Sequence, residues 1–259
     1  MVRDSERNGS TDAFEIKIEG LSMGFDGQSV LSGLDLEVQR GETLVILGAS
    51  GSGKSVLMKL IIGLLKPDGG RIIIQGEDVT SFVHDREWNA LRLKMGFLFQ
   101  GSSLYDSMTV AENVSFALEH HFPMSRDKIR EVVHQKLSLV ELEGVENKMP
   151  SELSGGMQKR AALARAIAMD PTIMMYDEPT AGLDPIRGKH ITELILRLQR
   201  EMQVTSLVVT HDLICASAIA DRLALLHQGD FVFIGTAGDL RKSSEPYVRR
   251  FIEASTLTC

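Results

Sequence analysis

Eight consecutive residues, Gly48-Ala49-Ser50-Gly51-Ser52-Gly53-Lys54-Ser55, follow the pattern G-x-x-x-x-G-K-[ST]. Small residues let backbone N–H groups turn inward around an anion, and a helix opening there adds its positive dipole end. In such a loop Lys54 reaches β- and γ-phosphate oxygens, and the Ser55 hydroxyl reaches Mg2+. The run Ile173-Met-Met-Tyr-Asp177-Glu178 reads as an apolar strand ending in two carboxylates. It places Asp177 at the carboxyl edge of a sheet, able to hold Mg2+ or its water shell. Glu178 projects differently and can polarise an attacking water.

A second glycine-rich start, Leu153-Ser154-Gly155-Gly156-Met157-Gln158, opens a helix running to about Met169, with Ser154 standing 23 residues before Asp177. Alone, it is a serine cap on a core helix. Beside a single phosphate loop, a second anion-seeking helix start points to a nucleotide held by another copy. Gln100 and His211 each follow a strand-like run, where a γ-phosphate or its attacking water can be sensed. Singly, such residues are turn residues, and only their order with the other motifs raises them. Phe25, upstream of the phosphate loop, is either a ring that stacks on adenine or a core phenylalanine.

The elements that must position these groups are legible in outline. Strand patterns occupy Phe14–Ile18, Leu34–Val38 and Thr43–Leu47, and an apolar helix follows over Ser55–Leu64. That strand–loop–helix order is what a phosphate loop requires. Arg71–Gly76 reads as a hairpin strand and Met95–Phe99 as a buried one. From Gly101 to Asp170 the pattern turns helical, with apolar residues at three-to-four spacing after Ser125. Strands at Thr172–Tyr176, Ser206–Thr210 and Arg222–Leu226 then alternate with helices over 186–202 and 212–219, which implies a parallel sheet covered by helices. The fold class is α/β: a core entered through an N-terminal β-layer and interrupted by a helical insertion. The expected boundaries are a flexible tail over 1–12 and a catalytic domain over 13–245. That domain has its core at 13–100 and 171–245, a helical part at 101–170, and a C-terminal tail over 246–259 that either pairs subunits or frays.

Composition narrows the function. The 259 residues carry 28 Lys and Arg against 35 Asp and Glu, a net charge of −7, which argues against nucleic acid as a partner. Two cysteines, Cys215 and Cys259, exclude a disulfide framework and favour a reducing compartment. No apolar run approaches a membrane span, and the N-terminus lacks the apolar centre of a secretory signal. The expected place is therefore the cytoplasm, with another chain holding the protein at any membrane it serves. His120-His121 lacks further ligands at metal spacing and reads as a solvated helix end. Lys159, Arg160 and Arg165 read as one face of the helix after Ser154, with Lys159 or Arg160 also able to approach a nucleotide. The methionines at 157, 169, 174 and 175 read as packing.

Taken together, from about residue 14 to 250, the chain resembles the ATP-binding cassette (ABC) ATPases. The phosphate loop 48–55 followed by Val56, Gln100, the signature Leu153–Met157, the strand 173–177, Glu178, the loop Ala181-Gly-Leu-Asp184 and His211 stand in that family's order. The resemblance implies a RecA-like P-loop core sheet, an N-terminal antiparallel β-subdomain and an α-helical insertion. It implies ATP and Mg2+ as cofactors, with Ser55, Gln100 and Asp177 toward the metal and Glu178, His211, Gln100 and Lys54 as the catalytic set. It also implies a head-to-tail pair in which Ser154, Gly155, Gly156 and Met157 meet the partner's ATP, with Asp184 in the loop between the sites. Met157 replaces the usual Gln, and Phe25 the commoner Tyr, and neither removes a metal, base or phosphate contact.

Within the family, Lys148–Met157, Lys159–Ala168, Phe99–Leu104 and Asp177–Ile186 resemble ATPases of Mla-type lipid transporters. This implies an MlaE-like membrane permease as partner, with an MCE lipid-binding protein and a small STAS-type cytoplasmic subunit beside it. It also implies a place on the cytoplasmic face of the inner membrane. A solute-importer ATPase and a cell-division-type regulatory ATPase are the alternatives. A DNA-repair type is disfavoured, because the 98-residue interval from Ser55 to Leu153 is too short for a long coiled coil.

Overall fold

A computed structural model describes residues 14–256. The N-terminal tail expected over 1–12 and the terminal Cys259 lie outside the described residues.

Strands β1 (Phe14–Phe25) and β2 (Gln28–Gln39) form a long antiparallel hairpin, closed by Asp26 and Gly27 at φ 50° and 79°. Both strands run further than the sequence pattern predicts. Gly20 and Gly33, each at positive φ, interrupt the apolar alternation without ending the pairing, and the register shifts around them. β4 (Gly69–Ile74) and the short β5 (Glu77–Asp78) extend this sheet in the order β2-β1-β4-β5.

The second sheet holds β3 (Thr43–Leu47), β6 (Met95–Leu98), β7 (Ile173–Asp177), β8 (Thr205–Thr210), β9 (Arg222–His227) and β10 (Asp230–Gly235). Its order is β10-β9-β3-β8-β7-β6, parallel throughout except for β10. β3 and β8 are buried at every residue, as central strands of a sheet covered on both faces must be. Alternate residues of β3 serve different cores. Leu44 and Ile46 join Leu57, Met58 and the antiparallel sheet, whereas Val45 and Leu47 join the helices between residues 110 and 168.

Helix α1 (Lys54–Ile61) follows β3, and α2 (Asp85–Arg92) precedes β6. α1 stops short of the predicted Leu64 because Gly63 adopts φ 68° and its carbonyl accepts from Arg92 Nη2. Residues 101–170 hold α3 (Val110–His121), α4 (Arg126–Leu139) and α5 (Gly155–Ala166). Then come α6 (Pro185–Met202), α7 (Leu213–Ile219), α8 (Ala237–Lys242) and α9 (Pro246–Thr256).

Residues 246–256 form the packed helix α9. Val248 is fully buried, and Tyr247 stacks on His227 with ring centroids 3.5 Å apart. α2, α8 and β10 are short, six to eight residues each, and so give little pattern to read from the sequence. Met174 and Met175 are fully buried packing residues, and Cys215 is a buried thiol accepting from the Thr192 hydroxyl. His120 and His121 end α3 exposed, the first held to the Phe116 carbonyl.

Candidate functional site

The carboxyl ends of β3, β7 and β8 converge because the three strands are parallel and adjacent. The phosphate loop leaves β3 at Gly48. A Cβ there would stand 2.5 Å from Ser52 Oγ and 2.7 Å from the Leu226 carbonyl oxygen, so only glycine fits. Ala49, Ser50 and Gly51 are exposed and Ser52 is half-buried. Gly53 turns into α1 at φ 104°, against Val30 and Leu31 of β2. The Lys54 side chain folds back under the loop, donating to the carbonyls of Gly48 at 2.7 Å and Ala49 at 3.0 Å. Burial lowers its pKa, against the opposing pull of Glu178 and Asp177. Ser55 is exposed on the first turn of α1, and Val56 packs inward against the core.

β7 ends beside this loop. Burial, and next the Glu178 charge, raise the Asp177 carboxyl above the ordinary value, against the Ser55 hydroxyl and the charges of Lys54 and Lys59. Its Oδ1 is buried with no hydrogen-bond partner. An orphaned carboxylate oxygen, with the Ser55 hydroxyl on the neighbouring helix turn, is a donor set that suits Mg2+, which takes one or two protein oxygens and keeps several waters.

Glu178 is the most constrained residue of the site. Its backbone is left-handed at φ 50°, an uncommon conformation for a side chain of this size. The surroundings fix it from several directions. Its N–H donates to the Val209 carbonyl at 2.9 Å, and its carbonyl accepts from Lys159 Nζ at 3.2 Å. Oε2 accepts from the Thr210 hydroxyl at 3.1 Å and lies 2.9 Å from His211 Nδ1. Oε1 faces Lys54 Nζ at 3.9 Å. With Oε2 occupied, Oε1 is the oxygen placed to take a proton from water.

Lys54, Ser55, Asp177, Glu178 and His211 thus meet in one place, and the other candidates stand around it. Phe25 is exposed at the tip of the β1–β2 hairpin, whose second strand abuts Gly53. Gln100 is exposed at the end of the edge strand β6. Its loop is held from α5, where Arg165 donates to the carbonyls of Ser102 and Ser103, both in left-handed backbone. Ser154, the cap of α5, accepts from Met157 N–H at 3.4 Å and is exposed with Gly155, while Gly156 and Met157 are half-buried. Asp184 caps α6 and pairs with Arg187, the residue nearest to Gly156.

One reading changes here, and one residue of the site carries a signal the sequence pattern leaves unread. Lys159, Arg160 and Arg165 do not share one face of α5. Lys159 turns inward to Glu178, Arg160 donates to the Glu141 carbonyl and Arg165 holds the loop after Gln100. Positions 159, 160 and 165 are separated by about 100° and 240° at 3.6 residues per turn, so a common face was not available. Thr210 was missed. Its signal is its place at the end of an apolar strand directly before His211.

A phosphate loop after a central parallel strand, with a strand one place away in the sheet ending at Asp177 and leading into Glu178, defines a P-loop nucleoside triphosphatase. A family profile described as ABC transporter matches residues 31–181, and the chain belongs to that family, as an ATP-hydrolysing cassette. It is 40% identical over 247 residues to the probable ribonucleotide transport ATP-binding protein mkl of Mycobacterium tuberculosis, covering 94% of this chain and 68% of that protein. It is 38% identical over 241 residues to the intermembrane phospholipid transport system ATP-binding protein MlaF of Haemophilus influenzae, covering 93% and 91%. A dimeric ATP-binding cassette solved in a post-hydrolysis state with ADP and Pi superimposes with a TM-score of 0.79 at 33% identity, covering 85% of this chain and 98% of that one.

Proposed function

We propose that this chain is the ATPase subunit of a complex that moves phospholipid between membranes, working as a head-to-tail pair bound to an MlaE-like permease. The observation that carries the reading is the near end-to-end match to MlaF on a chain in which Lys54, Glu178 and His211 meet beside the phosphate loop. No helix among the described residues is long and apolar enough to cross a membrane, so the lipid path belongs to another chain. The position that follows is the cytoplasmic face of the inner membrane, with an MCE lipid-binding protein and a STAS-type subunit as further members.

In this reading the backbone of Gly48–Gly53 wraps the phosphates and Lys54 moves its charge from the loop carbonyls onto them. Phe25 stacks on the adenine, and Ser55, Asp177 and Gln100 would hold Mg2+, which would neutralise phosphate charge. Glu178 Oε1 takes the proton of the attacking water while His211 and Thr210 fix Oε2. Ser154, Gly155, Gly156 and Met157 close on the partner's nucleotide, with Asp184 between the sites. Exposed Ile186 and Ile214, beside Asp184 and Asp212, supply apolar surface for the pairing. Positioning and charge neutralisation supply most of the rate, since phosphoryl transfer to water asks little covalent work of the protein.

Affinity purification from membranes, with Glu178→Gln used to hold the ATP-bound state, tests this. A permease of MlaE type with bound phospholipid is the expected companion, and phospholipid is expected to stimulate ATP turnover. The 40% identity to mkl favours a second reading, solute transport, in which a ribonucleotide rather than a lipid stimulates turnover.

A further inference from the structure

We infer that Lys159 couples the two composite sites of the pair, by holding the backbone of Glu178 from the helix that meets the partner's nucleotide. The inference rests on the in-trans reading of Ser154–Met157 given above.

Lys159 lies on α5 five residues after the Ser154 cap, about 7.5 Å along the helix axis. It is 5% exposed, and its neighbours along the buried side of α5 are Ala161, Ala162 and Leu163. A cation among such residues is costly unless compensated. Burial lowers its pKa, and the compensation comes from the Glu178 side, through the carbonyl at 3.2 Å and the more distant carboxylate charge. Lys159 is therefore a positioning residue: it touches the peptide of Glu178 and acts on the reaction through it.

What it holds is the strained part of the site. The left-handed Glu178 is fixed at its N–H by β8, at its carboxylate by Thr210 and His211, and at its carbonyl both by the Ala181 N–H at 3.1 Å and by Lys159 of α5. Apart from Lys159 and the nearby Ala181, these attachments come from β8 and from His211, which directly follows it. Lys159 alone ties Glu178 to the helix bearing Ser154 and Gly156. A shift of the first turn of α5, as it closes on the partner's phosphate, is carried by the lysine to the Glu178 peptide. That peptide sets where Oε1 stands relative to Lys54, at 3.9 Å. Occupancy of one site thereby tunes the base of the other, and turnover becomes cooperative in ATP.

The test uses the full chain in the complex recovered from membranes, with Lys159→Met, Lys159→Arg and Ser154→Ala. Turnover is measured against ATP concentration, beside binding of a fluorescent ATP analogue and the melting temperature. Lys159→Met is expected to lower kcat about tenfold or more, to change KM less than about twofold, and to bring the Hill coefficient to about 1. Analogue binding persists, and Lys159→Arg restores both kcat and cooperativity. Wild-type kcat and Hill coefficient in Lys159→Met overturn the inference, as does a loss of analogue binding and melting temperature in step with turnover. If Lys159→Met does not fold, Lys159→Gln takes its place under the same criteria. Ser154→Ala separates the two levels. Full turnover there overturns the in-trans reading itself, whereas an inactive Ser154→Ala beside an unaltered Lys159→Met overturns the role of Lys159 alone.

Discussion

His211 Nδ1 stands 2.9 Å from Glu178 Oε2, and the imidazole is otherwise 60% exposed. An exposed ring contributes little to packing, so its contact with Glu178 is where its effect must lie. His211→Ala is expected to leave stability within about 0.5 kcal/mol, as at other surface positions. ATP turnover should fall while nucleotide affinity holds, because only the orientation of the base is lost. Parallel denaturation and steady-state kinetics check this, and equal losses in both would contradict it.

Asp177 pays for its buried position in the nucleotide-free chain. Its raised pKa means the folded state holds the proton more tightly than the unfolded one. Stability present at low pH is therefore lost as pH rises through the raised value. Asp177→Asn removes that slope. The variant should melt higher than the parent at neutral pH without nucleotide, and the further rise that Mg2+ gives in the presence of ATP should disappear. Thermal melts across pH, with and without Mg2+, read both effects.

Gly48 admits no side chain, since Ser52 Oγ and the Leu226 carbonyl occupy the place of a Cβ. Gly48→Ala must displace the loop or the end of β9, at a cost of about 1–3 kcal/mol. Because the displaced part is the phosphate cradle, ATP affinity should fall by more than the stability loss alone explains. Urea titration and nucleotide binding together decide the point.

Val248 is fully buried where α9 meets the sheet. Val248→Ala is expected to cost about 2 kcal/mol through the cavity left behind. A urea midpoint equal to that of the parent would show α9 to be dispensable for the fold.

The site was largely legible because its chemistry depends on local order. Gly48–Ser55, Asp177-Glu178 and His211 each announce themselves within a few residues, and parallel strand order brings their ends together. What was hidden depends on contacts between distant segments. Lys159 finds the Glu178 carbonyl 19 residues away, and Arg165 reaches Ser102 across 63 residues. Both are cations in a helix, and periodicity alone cannot say which is turned inward. The long β1–β2 hairpin was shortened in the reading because Gly20 and Gly33 break the alternation that marks a strand. The helix α9 does carry a signal, since Tyr247, Val248, Phe251 and Ile252 recur at helical spacing and pack on the core, but the run is short and follows a polar stretch.

The alternation along β3 makes the central sheet a bulkhead between two compartments. Leu57 and Met58, which seat the helix behind the phosphate loop, lie on one side of it, and Ala161 to Ala164 of α5 lie on the other. The helix behind the phosphate loop and α5 therefore share no buried residue in their packing.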